Sequence, residues 1–180
     1  MTITKRMTPM LNPRARRDEG LALGKDAYLI FELDGSEYAM PVVHVAEIIT
    51  ALEYSQVPGA PKYLLGVCNL RGKILPIVDL RCRFAMPAYD SRGRDCYLII
   101  RHEIDETSYQ VGIQVDQVKE VTRIDSDSID PAPNVNDFIN RPVFCGVAKT
   151  ESGVKLIVDV PAFVIQLRDA IRHAYNRGSD

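Results

Sequence analysis

The chain has 180 residues, 46% apolar and 26% charged, with 22 basic against 24 acidic side chains for a net charge of −2. That length buries most of its apolar surface as one domain, or as two small ones sharing a core, without disulfides or metal; the composition is not that of a disordered chain, and nucleic acid as the main partner would call for a concentrated basic excess. No apolar run approaches the ~20 residues of a membrane-spanning helix, and the first 25 residues lack the apolar stretch of a signal peptide, so a cytoplasmic protein is expected.

Residues 1–25 carry six basic and two acidic side chains among Pro9, Pro13, Gly20 and Gly24, with no sustained periodicity. They are expected to form a mobile basic tail, and they leave the remainder of the chain at −6. From Tyr28 the pattern turns to strand: Leu29, Phe31 and Leu33 alternate with Tyr28, Ile30 and Glu32, Asp34-Gly35 supplies the positive φ of a tight turn, and Glu37–Val42 resumes the run as a hairpin. Pro41–Ile49 sets Val42, Val45, Ile48 and Ile49 at helical offsets and predicts one or two helical turns starting near Pro41. Val57-Pro58-Gly59-Ala60-Pro61 reads as a loop, and Leu64–Leu80 as two buried strands joined at Arg71-Gly72. Beyond a polar loop at 87–95, Cys96–Arg101, Val111–Val118 and Lys119–Ile124 are strand-like. Residues 125–137 hold four aspartates and no basic residue around Pro131 and Pro133, which predicts an exposed acidic loop. Val143–Lys149 and Val154–Val160 make a last hairpin around Glu151-Ser152-Gly153, and Phe163, Val164, Leu167, Ile171 and Ala174 share one face of a C-terminal helix.

Three strands end alike, in Pro76-Ile77-Val78-Asp79, Ile113-Gln114-Val115-Asp116 and Leu156-Ile157-Val158-Asp159, which suggests two related small barrels rather than one large sheet. Many short strands with regularly spaced turns leave little room for crossover helices and favour an all-β fold. Chemistry is hard to find in it. No phosphate-binding glycine loop, nucleophile elbow or zinc-protease motif occurs. Asp79, Asp116 and Asp159 stand at strand ends, where a short carboxylate accepts backbone N–H groups at a turn. Cys68, Cys82, Cys96 and Cys145 are far apart with no CxxC, and His44, His102 and His173 are scattered, so neither a metal site nor a nucleophile–base pair is expected. A single-stranded nucleic-acid-binding barrel, the reading from another class, needs a basic groove with clustered aromatics, against a barrel region at −6 and 7% aromatic residues overall.

One stretch is more specific. Glu37-Tyr38-Ala39-Met40-Pro41-Val42 leads to Val45-Ala46-Glu47-Ile48-Ile49, Val57-Pro58 and Ala60-Pro61, and then to Gly66-Val67-Cys68-Asn69-Leu70-Arg71-Gly72-Lys73-Ile74-Leu75-Pro76-Ile77-Val78-Asp79-Leu80-Arg81. This run closely resembles the CheW family of bacterial chemotaxis coupling proteins, as do Gly112–Val121 and Gly146–Lys149 in the same order, over about residues 27 to 165. The resemblance implies two intertwined five-stranded SH3-like β-barrels with short helices and a C-terminal helix, divided as a tail at 1–25, a CheW-like domain of two β subdomains at 26–165, and the end of the C-terminal helix with its tail at 166–180. It implies a non-enzymatic adaptor, without cofactor or metal, that couples the cytoplasmic tips of chemoreceptors to a histidine autokinase through the kinase's regulatory domain. Such an adaptor is cytoplasmic, recruited to membrane-associated receptor arrays, and serves either chemotaxis or another chemosensory or surface-motility pathway. Val45, Glu47, Gly66 and Arg71 match positions the family uses around a receptor-binding groove between the barrels. A receptor tip is a helical hairpin, best held by an apolar groove with a few charges fixing its register: Val45 would supply apolar surface, Glu47 an acceptor and Arg71 a forked donor whose tip alone leaves the turn. Val118 and Val121 either line the same groove or pack within a buried strand. The kinase-contact residues cannot be picked from the resemblance. The departures are the longer tail and Cys68 just before Asn69-Leu70-Arg71-Gly72.

Overall fold

The structure, a computed structural model, describes residues 24–87, 96–131 and 143–176, with 174–176 described for the backbone alone. The expected tail up to residue 23, most of the 87–95 loop, residues 132–137 of the acidic loop and the side chain of Ala174 lie outside the described residues.

The strands are β1 (Ala27–Leu33), β2 (Ser36–Pro41), β3 (Val45–Ile49), β4 (Leu64–Leu70), β5 (Lys73–Asp79), β6 (Cys96–Ile104), β7 (Thr107–Val115), β8 (Gln117–Arg123), β9 (Ile129–Pro131), β10 (Phe144–Thr150) and β11 (Gly153–Val158). Helix α1 covers Leu80–Arg83 and α2 covers Val160–Asn176. They form a six-stranded sheet, β8-β1-β2-β11-β10-β9, and a five-stranded sheet, β3-β6-β7-β5-β4. The chain leaves the first sheet after β2, builds the whole of the second, and returns at β8, so the two are intertwined. The hairpin tips follow from local chemistry. Asp34 and Gly35 have φ of 50° and 73°, Arg71 and Gly72 of 53° and 83°, the doubly left-handed turn whose twist matches that of the strands it joins.

The two sheets repeat one another residue by residue. The β4–β5 register Leu64↔Val78, Gly66↔Ile77 recurs in β10–β11 as Phe144↔Val158, Gly146↔Ile157. The parallel pair Ile77↔Gly112 recurs as Ile157↔Ala39. Strand β3 meets β6 through Val45↔Ile100 and Glu47↔Ile99, and β8 meets β1 through Val118↔Phe31 and Glu120↔Ile30, each with a one-residue bulge at the same place. Five strands correspond one to one. The sixth, β9, pairs Asp130 with Val147 where the other half has only the isolated bridge Ser55↔Val67.

Burial explains the long apolar runs. Leu29, Phe31 and Met40 from one sheet, Val78, Leu98 and Ile113 from the other, and Phe163, Val164 and Leu167 of α2 belong to one shared core. The opposite faces of the same strands bury smaller clusters, Ile30, Ala39, Ala148 and Ile157 in the first sheet and Cys68, Leu75, Ile77, Tyr97 and Ile99 in the second. A strand buried on both faces loses its polar alternation.

Three expectations are corrected. Pro41–Ile49 is not helical: a 3₁₀ turn at Val42–His44 runs into strand β3. The bulge between Val45 and Glu47 turns both Val45 and Ile48 inward, so a bulged strand imitates helical spacing. Residues 125–137 are not all loop, because Ser126–Ser128 form a 3₁₀ turn and Ile129, packed on the Ile30 cluster, starts β9. The three strand-end aspartates are not three copies of one feature. Asp79 and Asp159 correspond: their N–H groups bond Tyr63 and Val143 carbonyls, and their Oδ1 atoms accept from the N–H groups of Cys82 (3.1 Å) and Ala162 (2.9 Å), capping α1 and the start of α2. In the register of the repeat, Asp116 corresponds to Val43 instead.

Candidate functional site

The β4–β5 turn is a tight two-residue link and therefore projects Arg71 outward. There its Nη2 donates to Glu47 Oε1 at 2.7 Å. Glu47 sits on β3 and Arg71 beside β4, the two opposite edges of the five-stranded sheet. Their contact bridges those edges by side chains, and the segment beyond β3 closes on β4 through the paired Ser55–Val67 hydrogen bonds of 2.8 and 2.9 Å. Gly66 belongs to the same closure. A Cβ there would lie 2.3 Å from the Ser55 carbonyl oxygen and 2.9 Å from the Tyr54 ring, so only glycine lets that segment seat. Arg71 is 70% exposed, a whole side chain in solvent rather than a protruding tip, and Glu47 is half-buried beside it.

The remaining sequence-derived residues are placed differently. Val45 and Val118 are buried in the shared core, at corresponding positions on β3 and β8. Val121, the counterpart of Ile48, is half-buried and packs against that core. Thus Glu47 and Arg71 meet, Gly66 stands apart from them on β4 where the Ser55 segment packs, Val45 is buried in the shared core, and Val118 and Val121 belong to β8 of the other sheet, where packing accounts for them.

Two charged groups escaped sequence reasoning. Arg81, with a side chain 8% exposed, holds both oxygens of Asp116 and reaches Asp34. Lys155, 2% exposed, donates to Glu37 Oε2 at 2.6 Å and Ser152 Oγ at 2.8 Å. The signal for Lys155 was present: two residues before Ile157 on β11, it shares that residue's buried face.

Burial pushes the Cys68, Cys82 and Cys145 thiols up, and Asp79 and Asp159 add to this at Cys82 and Cys145, which favours the unreactive neutral form. The His44 imidazole lies edge-on to His102 at 5.6 Å; burial holds it below its usual value, against the opposing pull of the Arg101 carbonyl bonded to Nδ1. Among the described residues, no three His, Cys, Asp or Glu side chains come together at metal-binding spacing, and no helix is long and apolar enough to cross a membrane.

A family profile described as the CheW-like domain matches residues 27–167. The chain is 32% identical over 133 residues to a protein of Helicobacter pylori named chemotaxis protein CheW, covering 74% of this chain and 78% of that one. It is 30% identical over 143 residues to the protein of the same name from Klebsiella aerogenes, covering 78% and 82%. Among solved structures it is similar to the scaffolding protein TtCheW of Thermoanaerobacter tengcongensis, with a TM-score of 0.64 and 29% identity over 76% of this chain and 90% of that one.

Proposed function

The chain belongs to the family of CheW-like domains, and from that premise we propose that it is a non-enzymatic scaffold coupling chemoreceptor cytoplasmic tips to the regulatory domain of a chemotaxis histidine kinase. The observation that carries this reading is the match over residues 27–167, which spans both sheets and the start of α2. The chain works in the cytoplasm at membrane-associated receptor arrays, a placement supported by the family. Glu47, Gly66 and Arg71 line the receptor-binding groove, with Val45 on the strand that carries Glu47 and Val118 and Val121 on β8 of the other sheet. The support is geometric: the Glu47–Arg71 pair joins an exposed guanidinium to a half-buried carboxylate over a barrel edge, charges suited to fixing the register of an amphipathic helix laid across it. Val45 and Val118, being buried, act by shaping the strands that carry the contact surface.

Co-purification of the tagged protein with receptor fragments and with the histidine kinase tests the scaffold directly. Capture of both in one complex, with receptor-dependent kinase activation, is the expected result. Transfer of labelled phosphate to this chain in stoichiometric amount, or binding of receptor without any kinase, overturns it.

A further inference from the structure

The sheets exchange the chain at two crossovers that occupy corresponding places, yet among the described residues one of them alone carries an arginine–aspartate pair. Where β7 passes to β8 the linking residue is Asp116; its counterpart between β2 and β3 is Val43, 59% exposed. Arg81 follows Asp79 by two residues, and the residue two beyond Asp159 is Pro161. Neither Val43 nor Pro161 can form an ion pair, so the arginine–aspartate lock has no counterpart at the β2–β3 crossover, where His44 feels Asp159 without an arginine.

At the locked crossover, Arg81 Nε donates to Asp116 Oδ1 at 2.8 Å and Nη2 to Oδ2 at 2.7 Å, while Nη2 also reaches Asp34 Oδ1 at 3.1 Å and Nη1 the Pro87 carbonyl at 3.2 Å. Asp116 Oδ2 accepts the Asp34 N–H at 2.8 Å, and the Asp116 N–H donates to the Glu32 carbonyl at 3.1 Å. Asp34 lies in the β1–β2 turn of the six-stranded sheet, whereas Arg81 lies in α1, directly after β5 of the five-stranded sheet. One guanidinium therefore spans the seam. A planar fork held bidentately fixes angle as well as distance, which a lysine ammonium cannot.

The geometry points to Arg81 as a positioning residue for receptor coupling: by clamping Asp116 to Asp34 it sets where β8 begins, and so how Val118 and Val121 stand relative to Val45 and Glu47 on β3. This role rests on the coupling function proposed above. It makes Arg81 a determinant of affinity although the side chain is buried away from any partner.

The test uses the full chain with Arg81→Met, Arg81→Lys and Asp34→Asn, and Ile77→Val as a core variant away from the seam. Amide hydrogen exchange at Asp34, Asp116, Val118 and Val121 reads the lock, and the Kd for a soluble cytoplasmic fragment of a chemoreceptor reads coupling, both well below the melting temperature. Arg81→Met should speed exchange at those amides and weaken binding roughly tenfold, with Arg81→Lys and Asp34→Asn intermediate and Ile77→Val unchanged in affinity. If Arg81→Met does not fold, Asp34→Asn decides alone, since its half-exposed carboxylate leaves the Arg81–Asp116 pair in place. Unchanged exchange, faster exchange without loss of affinity, or affinity that follows melting temperature whatever the site, overturns the positioning role. Wild-type protein that binds no receptor fragment overturns the coupling function, and the positioning role with it, an outcome distinguishable from the others because it precedes any substitution.

Discussion

Replacing Arg71 with alanine removes one side of the Glu47–Arg71 pair and leaves the turn intact. Alanine is no more strained than arginine at a φ of 53°, and the Gly72 N–H keeps its 2.9 Å bond to Asn69 Oδ1. With the guanidinium 70% exposed, solvent screens the 2.7 Å contact, and the pair contributes only about 0–1 kcal/mol to folding. The melting temperature should therefore fall by no more than roughly 2–4 °C. Binding is another matter. Once a receptor helix covers the pair and excludes water, losing one partner of a buried charge contact costs about 2–5 kcal/mol, a weakening of about 30- to 4,000-fold. Circular dichroism melts, the Kd for a receptor fragment and receptor-dependent kinase activity would be measured on one preparation. A folded protein with collapsed binding is expected. Unchanged affinity and activation would refute the contact role, and loss of the fold would make Arg71 a structural residue. The exchanged pair Glu47→Arg/Arg71→Glu then separates two ways of acting: recovered binding means the pair acts as a brace across the barrel edge, and absent recovery means the partner reads the individual charges.

Gly66→Ala should destabilise by about 1–3 kcal/mol, because the new methyl meets backbone at Ser55 rather than a movable side chain; urea titration measures it, and a neutral result would mean the 54–55 segment yields freely. Glu37→Ala should cost about 3–5 kcal/mol by stranding the buried Lys155 ammonium, whereas Lys155→Met, which removes the charge, should cost far less; equal losses in the two variants would contradict the argument. His44 titrates lower in the folded protein than its ordinary 6.5, so the unfolded chain binds more protons and stability falls as pH drops below about 6.5. His44→Gln should flatten that acid limb in melts taken from pH 7.5 to 5, and an unaltered limb would assign it to other groups.

Much of this architecture is written in local pattern. Strand positions, the Asp34-Gly35 and Arg71-Gly72 turns and the amphipathic C-terminal helix depend on residues close in sequence, and of the three similar strand ends that suggested related halves, Pro76–Asp79 and Leu156–Asp159 do correspond while Ile113–Asp116 does not. The family and its coupling role were legible in the ordered run from Glu37 to Arg81, because many short pieces in fixed order rarely arise together by chance. Pairing between distant segments was not legible. The bulge that makes β3 look helical exists only because β6 lies alongside it, and β9 forms only because β10 offers an edge. Glu47 and Arg71 are 24 residues apart, Arg81 and Asp116 35, Glu37 and Lys155 118. A charge's neighbours at such separations follow from how two sheets curl and exchange strands, and burial then decides what each pair does: Glu47–Arg71 stays exposed at the arginine, while buried Arg81 ties one sheet to the other and buried Lys155 ties β11 to β2 within the six-stranded sheet.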